Sequence, residues 1–222
     1  MKKIYIICIL SALISLSAQA QKTTFGVMAG VNFANIYSDD PSYSASMRVG
    51  FHIGGGVNFG INDNFSINAD LLYTSRGAKQ KYSSTEVNNS TTITDAYEET
   101  VSISYIEVPV LARYKLESGL YFNGGLSLAF LAGYKDESTI THTVVNSNNT
   151  NVSIETSTTT DHTGIRSTDL GLKFGLGYEA SSGLDLALNY TLGLSNINDI
   201  AGYPYKYHHG VIGITVGYWF GK

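Results

Sequence analysis

The final stretch of the chain alternates strictly between two kinds of residue, and this pattern limits the possible fold more than any other feature. One set of alternate positions holds Ile212, Ile214, Val216, Tyr218 and Phe220, and the positions between them hold Val211, Gly213, Thr215, Gly217 and Trp219. Because successive side chains of a β-strand point to opposite faces of the sheet, the pattern predicts a strand with one apolar face. A strand of this kind, ending on an aromatic residue, is typical of the close of a bacterial outer-membrane β-barrel.

The N-terminal segment has the pattern of a cleaved secretory signal. Lys2 and Lys3 precede an apolar stretch at 4–16, and Ala18-Gln19-Ala20 supplies the small residues of a cleavage site. We therefore predict a signal peptide over 1–20 and one domain over 21–222. Cys8, the single cysteine, lies in the predicted leader, so the mature chain is expected to have no disulfide and no thiolate metal site.

Composition favours a protein that crosses a membrane with strands. Only 14% of the residues are charged, whereas ordinary soluble domains have about 25%. No run of eighteen or more apolar residues follows residue 20, so transmembrane helices are not expected. The formal net charge of −4 is too small to suggest nucleic acid as a partner.

Alternation recurs along the mature chain and predicts eight strands. They cover 24–33, 48–60, 65–76, 101–114, 120–134, 165–180, 184–196 and 209–220. Their polar faces are mostly Gly, Ala, Ser and Asn, which suit the narrow lumen of an eight-stranded barrel better than the solvent face of a sandwich. The charges of the strands share the parity of this small face: Arg48, Asp70, Arg76, Glu107, Arg113, Lys173, Glu179 and Asp185.

The connections between the predicted strands alternate in length. The long ones are 35–47, 77–100, 135–163 and 197–208, and the short ones are 62–64, 117–119 and 181–183. This alternation predicts an eight-stranded antiparallel transmembrane β-barrel with short periplasmic turns, long extracellular loops and both termini in the periplasm. The two longest loops are rich in Ser, Thr and Asn, so they are expected to be mobile or to extend the hairpins weakly.

Four charges are predicted to meet in the lumen. Asp70 and Glu107 should lie at mid-height on adjacent strands, with Lys173 across the lumen at similar depth and Arg113 lower down. A buried ion network that fills a closed barrel explains them better than a proton or ion path, because buried charges persist when they are paired. Pro109 lies among them and lacks an N–H donor, so a bulge or irregularity is expected there.

Histidines offer the main alternative site. His208 and His209 lie in the last predicted loop and His142 and His162 in the third, but their spacing matches no compact metal-ligand pattern. Adjacent strand residues also point to opposite faces. No catalytic residue, cofactor or metal is therefore predicted, since Ser and Thr are too common here for a pairing with His to be informative.

Several segments together resemble one family. They are FGVMAGVNF at 25–33, LLYTSRGAK at 71–79, YIEVPV at 105–110, DLGL at 169–172 and GYWF at 217–220. In this order they resemble the PorT-type, porin-family outer-membrane β-barrel proteins of Bacteroidetes, over essentially all of the mature chain. The resemblance implies an eight-stranded barrel in the outer membrane and no agreed activity. Gly221 and Lys222 follow Phe220, whereas such barrels commonly end on the aromatic residue.

These observations lead to a functional expectation. The protein should be a non-enzymatic integral barrel of the Gram-negative outer membrane, with a closed lumen and a structural or surface-interaction role through its external loops. The alternative is an accessory component of a secretion or envelope-assembly complex, which the PorT resemblance permits; an outer-membrane enzyme or a small-solute channel is less favoured. The expected partners are outer-membrane lipid, the barrel-assembly machinery during biogenesis, and envelope or secretion proteins, with a monomer as the expected state.

Overall fold

The computed structural model describes residues 22–88, 91–146, 149–160 and 163–221, so the predicted leader lies outside the described residues. The nine strands are β1 Lys22–Ser38, β2 Ser46–Gly60, β3 Phe65–Asn88, β4 Thr91–Lys115, β5 Leu120–Asn146, β6 Asn149–Thr159, β7 Thr168–Glu179, β8 Leu184–Gly193 and β9 Tyr207–Phe220. No helix in the described ranges is long and apolar enough to cross a membrane.

Eight of the nine strands close into a ring. The order is β1, β2, β3, β4, β5, β7, β8 and β9, and the ring closes where β9 pairs with β1 from Phe25↔Phe220 to Ser38↔Tyr207. Every pair is antiparallel, and each strand of the ring pairs with a neighbouring strand on both sides. The predicted eight-stranded antiparallel barrel is confirmed.

The two faces of the barrel wall differ as the alternation predicts. Outward side chains are large and apolar, and Phe25 and Leu71 are each 60% exposed. Inward side chains such as Asn32, Thr74 and Thr215 are polar and buried. Contiguous exposed apolar surface of this extent is unusual for a soluble protein and suits contact with lipid.

Short turns lie at one end of the barrel, at 61–64, 116–119 and 180–183. Gly119 and Gly183 have φ values of 90° and 95°, a left-handed conformation that residues with a Cβ adopt at a cost. It is named here the periplasmic end, following the predicted topology in which the short turns lie in the periplasm.

The longest connections extend the hairpins, as one of the two expectations had it, but they form a continuously paired sheet instead of weak extensions or mobile loops. β3 continues to Asn88, β4 starts at Thr91 and β5 continues to Asn146. β6 pairs with β5 alone, from Asp136↔Thr159 to Asn146↔Asn149. Residues 80–88, 91–100, 136–146 and 149–159 thus make a four-stranded antiparallel sheet above the barrel, named here the external sheet. Thr, Val and Ile favour strands, so these segments can form a sheet. Both faces of this sheet carry polar residues, however, so the sequence does not show the alternation of apolar and polar residues that predicts a strand.

Two observed strands are shorter than predicted. β7 begins at Thr168 instead of 165, and β8 ends at Gly193 instead of 196. A side chain joins the backbone bonds here: Ser195 Oγ accepts a 2.9 Å hydrogen bond from the N–H of Leu170, whose carbonyl accepts from the N–H groups of Leu194 and Ser195. Asn and Ser compete with backbone ladders through such local bonds.

Irregularities lie at two places other than Pro109. The register shifts between Met47 and His52 in the β2–β3 pair, and at Ser104/Tyr105 in the β4–β5 pair. At Pro109 the β3–β4 pairing lapses between Ala69↔Val110 and Leu72↔Glu107 and resumes in the same register. The expected irregularity is therefore a gap in the ladder without a bulge, because proline removes one donor and inserts no extra residue.

Candidate functional site

An upper ion cluster joins four strands across the lumen. Arg76 Nη2 lies 2.6 Å from Glu107 Oε2, and Arg76 Nη1 lies 3.1 Å from Asp169 Oδ2. Lys173 Nζ lies 3.1 Å from Glu107 Oε1, which also accepts a 2.6 Å hydrogen bond from the Ser127 hydroxyl. These contacts connect β3, β4, β5 and β7, and the Arg76, Glu107 and Asp169 side chains are buried.

A lower ion cluster lies near the periplasmic turns. Arg113 Nη1 is 2.7 Å from Glu179 Oε2, and its Nη2 is 3.2 Å from Asp185 Oδ2. Lys115 Nζ lies 2.9 Å from Glu179 Oε1, and the Tyr121 hydroxyl donates a 2.9 Å hydrogen bond to Asp185. The Arg113 guanidinium also lies 3.7 Å from the centroid of the Tyr121 ring, a cation–π contact.

Neutral polar side chains form a third layer of the lumen. The His52 ring contacts Asn32 Oδ1 at 2.8 Å through Nδ1 and Thr215 Oγ1 at 2.9 Å through Nε2. Asn32 Nδ2 donates to Thr74 Oγ1 at 2.9 Å. These bonds link β1, β2, β3 and β9, so polar contacts cross both halves of the ring.

Asp70 is a buried lumen carboxylate for which no ion pair is found within the described ranges. It lies where the β3–β4 ladder lapses, next to Pro109 on the opposing strand. A Cβ added at Gly56 would collide with the Asp70 carboxylate, so the neighbouring strand accommodates this side chain only by having glycine there. A cavity of about 40 Å³ adjoins Asp70 and is also lined by Arg113 and Lys173.

The four predicted lumen charges thus divide among three places. Glu107 and Lys173 lie in the upper cluster, Arg113 lies in the lower cluster, and Asp70 lies in neither. The ion-pair partners that the predicted network lacked are Arg76, Asp169, Glu179 and Asp185. Their parity on the small face was visible in the sequence, but their pairing depends on the stagger of the strands, which alternation does not reveal.

An apolar plug packs across the outer mouth of the lumen. It consists of the buried residues Ile36, Ala78, Ile103, Tyr105, Ala129 and Ile197. The Tyr105 hydroxyl pairs with His209 Nε2 at 3.2 Å. The apolar residues at 103 and 105 share the inward parity of Glu107 because they belong to this plug.

Two small cavities lie in the lumen beside the ion clusters. One of about 20 Å³ lies beside Glu107, Lys173 and His52, and the 40 Å³ cavity adjoins Asp70. A larger pocket of about 330 Å³ opens at the periplasmic end, lined by Arg113, Lys115 and the turn residues 62–64. The small cavities have room for one or a few water molecules.

The predicted histidine candidates do not converge. His208 and His209 are adjacent in β9, so their side chains point to opposite faces of the strand. His142 lies on the external sheet and bonds to Asp95, and His162 lies outside the described residues. Within the described ranges, no group of three or more His, Cys, Asp or Glu side chains could hold a metal ion.

The external sheet has two different faces. One continues the lumen face of the barrel and carries the stacked rings of Tyr82 and Tyr97, whose centroids are 4.6 Å apart. The other, named here the threonine face, has rows of uncharged residues such as Thr85, Thr94, Thr143 and Val152. On this face the hydroxyls of Thr85 and Thr94 are 3.3 Å apart.

Two carboxyl groups of the external sheet share one environment. Glu99 in β4 and Asp136 in β5 point to the same face, near the base of the sheet. Burial and the neighbouring Asp136 raise the pKa of Glu99. Burial also raises the pKa of Asp136, although hydrogen bonds from Glu99 and Tyr134 oppose that shift. The pair therefore favours holding a proton.

Residues 18–199 match the family described as outer membrane protein beta-barrel domain. The chain belongs to this family. Membership agrees with the closed ring, the apolar outer face and the alternation of short and long connections, and it gives the protein an outer-membrane location. No curated protein matches the chain.

Several solved structures are similar to the chain at low sequence identity. Ail, the attachment invasion locus protein of Yersinia pestis, is 11% identical, with a TM-score of 0.45 over 90% of this chain and 100% of that one. Neisserial surface protein A is 16% identical, with a TM-score of 0.40 over 89% and 99%. OprG of Pseudomonas aeruginosa is 13% identical, with a TM-score of 0.37 over 90% and 95%. These likenesses are too distant to bear on function.

Arg76→Met should destabilise the barrel because it leaves Asp169 buried without the cation beside it. We expect a loss of about 3–5 kcal/mol in the free energy of unfolding, measured by urea titration in lipid vesicles with heat-modifiable electrophoretic migration as the readout. Lys81→Met removes an exposed ion pair of the external sheet and should cost about 1 kcal/mol or less. Equal losses in the two variants would contradict a stabilising role for the upper cluster.

The stability of the external sheet should depend on pH. Because the pKa values of Glu99 and Asp136 are raised in the folded state, their stabilising contribution is present below the ordinary carboxyl range and is lost as pH rises through the raised values. Amide hydrogen exchange of 93–100 and 136–144, corrected for intrinsic rates, should therefore show more protection at about pH 5 than at about pH 8.

Asp136→Asn should remove most of that dependence. Glu98→Gln, which lies next to Glu99 in β4 but on the opposite face of the sheet, should keep it. Protection that rises with pH in the unaltered chain would have the wrong sign for this carboxyl pair.

Proposed function

We propose that this protein is a non-enzymatic outer-membrane barrel with a closed lumen, which acts through the external sheet and neighbouring loops on other components of the cell surface. The observation that carries the proposal is the contrast between the two ends of the molecule. The lumen is occupied by two ion clusters and the plug, whereas the external sheet presents four strands above the membrane. The part of the protein that other cell-surface components can reach thus lies outside the barrel.

Three features support a closed lumen. Eight strands leave an interior just wide enough for side chains to fill. Arg76 and Arg113 each reach carboxylates on more than one strand, so the salt bridges cross the path that a solute would take. The plug adds Ile103 and Tyr105 above them, both fully buried.

The sequence resemblance supports the narrower assignment. The five PorT-like segments favour a PorT-type protein of Bacteroidetes that is exported through a cleaved leader at 1–20. They also favour a second function, as an accessory component of a secretion or envelope-assembly complex. In that case the partners would be envelope or secretion proteins, and the barrel would serve as their anchor in the outer membrane.

Single-channel recording tests the closed lumen. The purified protein, reconstituted in planar lipid bilayers, is expected to show no large, stable conductance steps, because the ion clusters and plug occupy the lumen. The same preparation must show heat-modifiable migration, which demonstrates that the barrel is folded. Stable, large steps from a folded preparation would contradict this part of the proposal.

Removal of the external sheet tests the surface role. A variant that joins Lys79 to Thr100 and Lys135 to Thr163 by short Gly/Asn turns retains the ring strands and deletes the external sheet. It should fold in the outer membrane yet lose the envelope components that cross-link to the full chain in intact cells. If the strain that carries this variant secretes proteins normally, the surface role is favoured over a role in a secretion or envelope-assembly complex. If the cross-links are unchanged, both proposed functions are contradicted.

A further inference from the structure

The external sheet ends in two free edges. β6 pairs with β5 on one side, and none of the described residues pairs with it on the other. Residues 80–88 of β3 pair with β4 alone, since the β2–β3 ladder ends at Ser46↔Lys79. Each edge therefore presents a row of backbone N–H and C=O groups that no strand in the described part of the chain uses.

The β6 edge lacks the features that usually prevent strand pairing, and the β3 edge carries two charges, Lys81 and Glu86. β6 contains no proline, lysine or arginine, its single charge is Glu155, and the whole strand is exposed. Val152 and Ile154 are 58% and 66% exposed. Natural edges are commonly blocked by charges, prolines or bulges, so an unblocked edge of this length is suited to receiving another strand.

The two edges are complementary in direction and height. β3 runs away from the membrane and β6 runs back toward it, and both rise from the outer rim of one barrel. Two copies in the same membrane therefore bring β6 of one copy beside β3 of the other as antiparallel neighbours. Two β6 strands would meet in parallel, because both run toward the membrane. Residues 80–88 have no net charge, with Lys81 against Glu86, and β6 has −1, so net charge does not oppose the contact.

We propose that β6 of one copy adds to the 80–88 edge of a second copy, so that neighbouring external sheets become one continuous antiparallel sheet. This rests on the proposed function, in which the external sheet stands above the outer membrane, and it replaces the expected monomer with a laterally associated protein. Because the two edges differ, the contact is head-to-tail and can extend to further copies. The threonine face would then continue from copy to copy, with Val152 and Ile154 contributing beside the edge residues Ser83 and Thr85.

Cysteine cross-linking in native outer membranes tests this contact. In a Cys8→Ser background, one tagged chain carries Ile154→Cys and a second, differently tagged chain carries Ser83→Cys. These positions lie at opposite ends of one row of the sheet, 83↔96↔141↔154. A short bismaleimide should join the two tags into a dimer, and a chain with both cysteines should form a ladder. Leu188→Cys, on the lipid face of β8, paired with Ser83→Cys measures chance collisions.

Lysine substitutions at the two edges test whether strand pairing causes the cross-link. Val152→Lys in the Ile154→Cys chain, or Thr85→Lys in the Ser83→Cys chain, should each lower the cross-linked fraction about tenfold. Val145→Lys lies on the threonine face in the inner strand β5 and should leave it unchanged. The Thr85→Lys arm keeps β6 unaltered, so a local disturbance of β6 cannot explain both losses.

Several outcomes would overturn the contact. The first is that the Ile154→Cys and Ser83→Cys chains form no more dimer than the Leu188→Cys and Ser83→Cys chains do. The second is that the Ile154→Cys chain cross-links only to another Ile154→Cys chain. The third is that it cross-links only to a different envelope protein. In each case heat-modifiable migration shows whether the barrel is folded. A folded barrel without the dimer ends this inference and leaves the surface role intact, whereas a chain that is absent from the outer membrane ends both.

Discussion

The closed ladder of backbone hydrogen bonds is the constraint on which the rest of this structure depends. An unpaired N–H or C=O group in hydrocarbon costs several kcal/mol, so strands that cross a membrane must form a ring without edges. Pairing of β9 with β1 completes that ring. Once it closes, every second side chain faces lipid and the others face a lumen with little room for solvent. Most charges of the lumen then find partners among themselves, which Arg76 and Arg113 provide, and Asp70 is an exception within the described ranges.

Above the membrane the backbone of the same chain is under a weaker constraint. Water can satisfy backbone groups there, so β6 can end the external sheet with one side unpaired. Both faces can be polar as well, and Thr residues occupy positions that would face lipid lower in the same strands. The plug lies between the membrane-spanning ring and the external sheet. There Ile103 and Tyr105 fill the outer end of the lumen with apolar side chains, above the ion clusters. The ion clusters lie below the plug, and the external sheet lies above it.

Much of the barrel follows from local pattern, and the differences have specific causes. Alternation predicts the eight ring strands, and Trp219 lies buried in the lumen as its parity requires. The external sheet escaped prediction because its Thr-rich strands carry polar residues on both faces and show no clear period. β7 and β8 are shorter than predicted because Ser195 and nearby polar side chains bond to the backbone at their ends. Pro109 leaves a gap in the ladder opposite Asp70 without any change of register.

The sequence by itself determined the membrane-spanning strands, their orientation and the set of residues that face the lumen, because each follows from a period of two and from loop length. Only the tertiary structure decided which charges pair. Glu107 bonds to Arg76 and Lys173, and Arg113 bonds to Glu179 and Asp185, through the stagger by which eight strands close. The tertiary structure also decided where the external sheet has free edges, since a strand is an edge only if no other described strand pairs with it on one side. Closure depends on contacts between strands far apart in the chain, which no local pattern specifies.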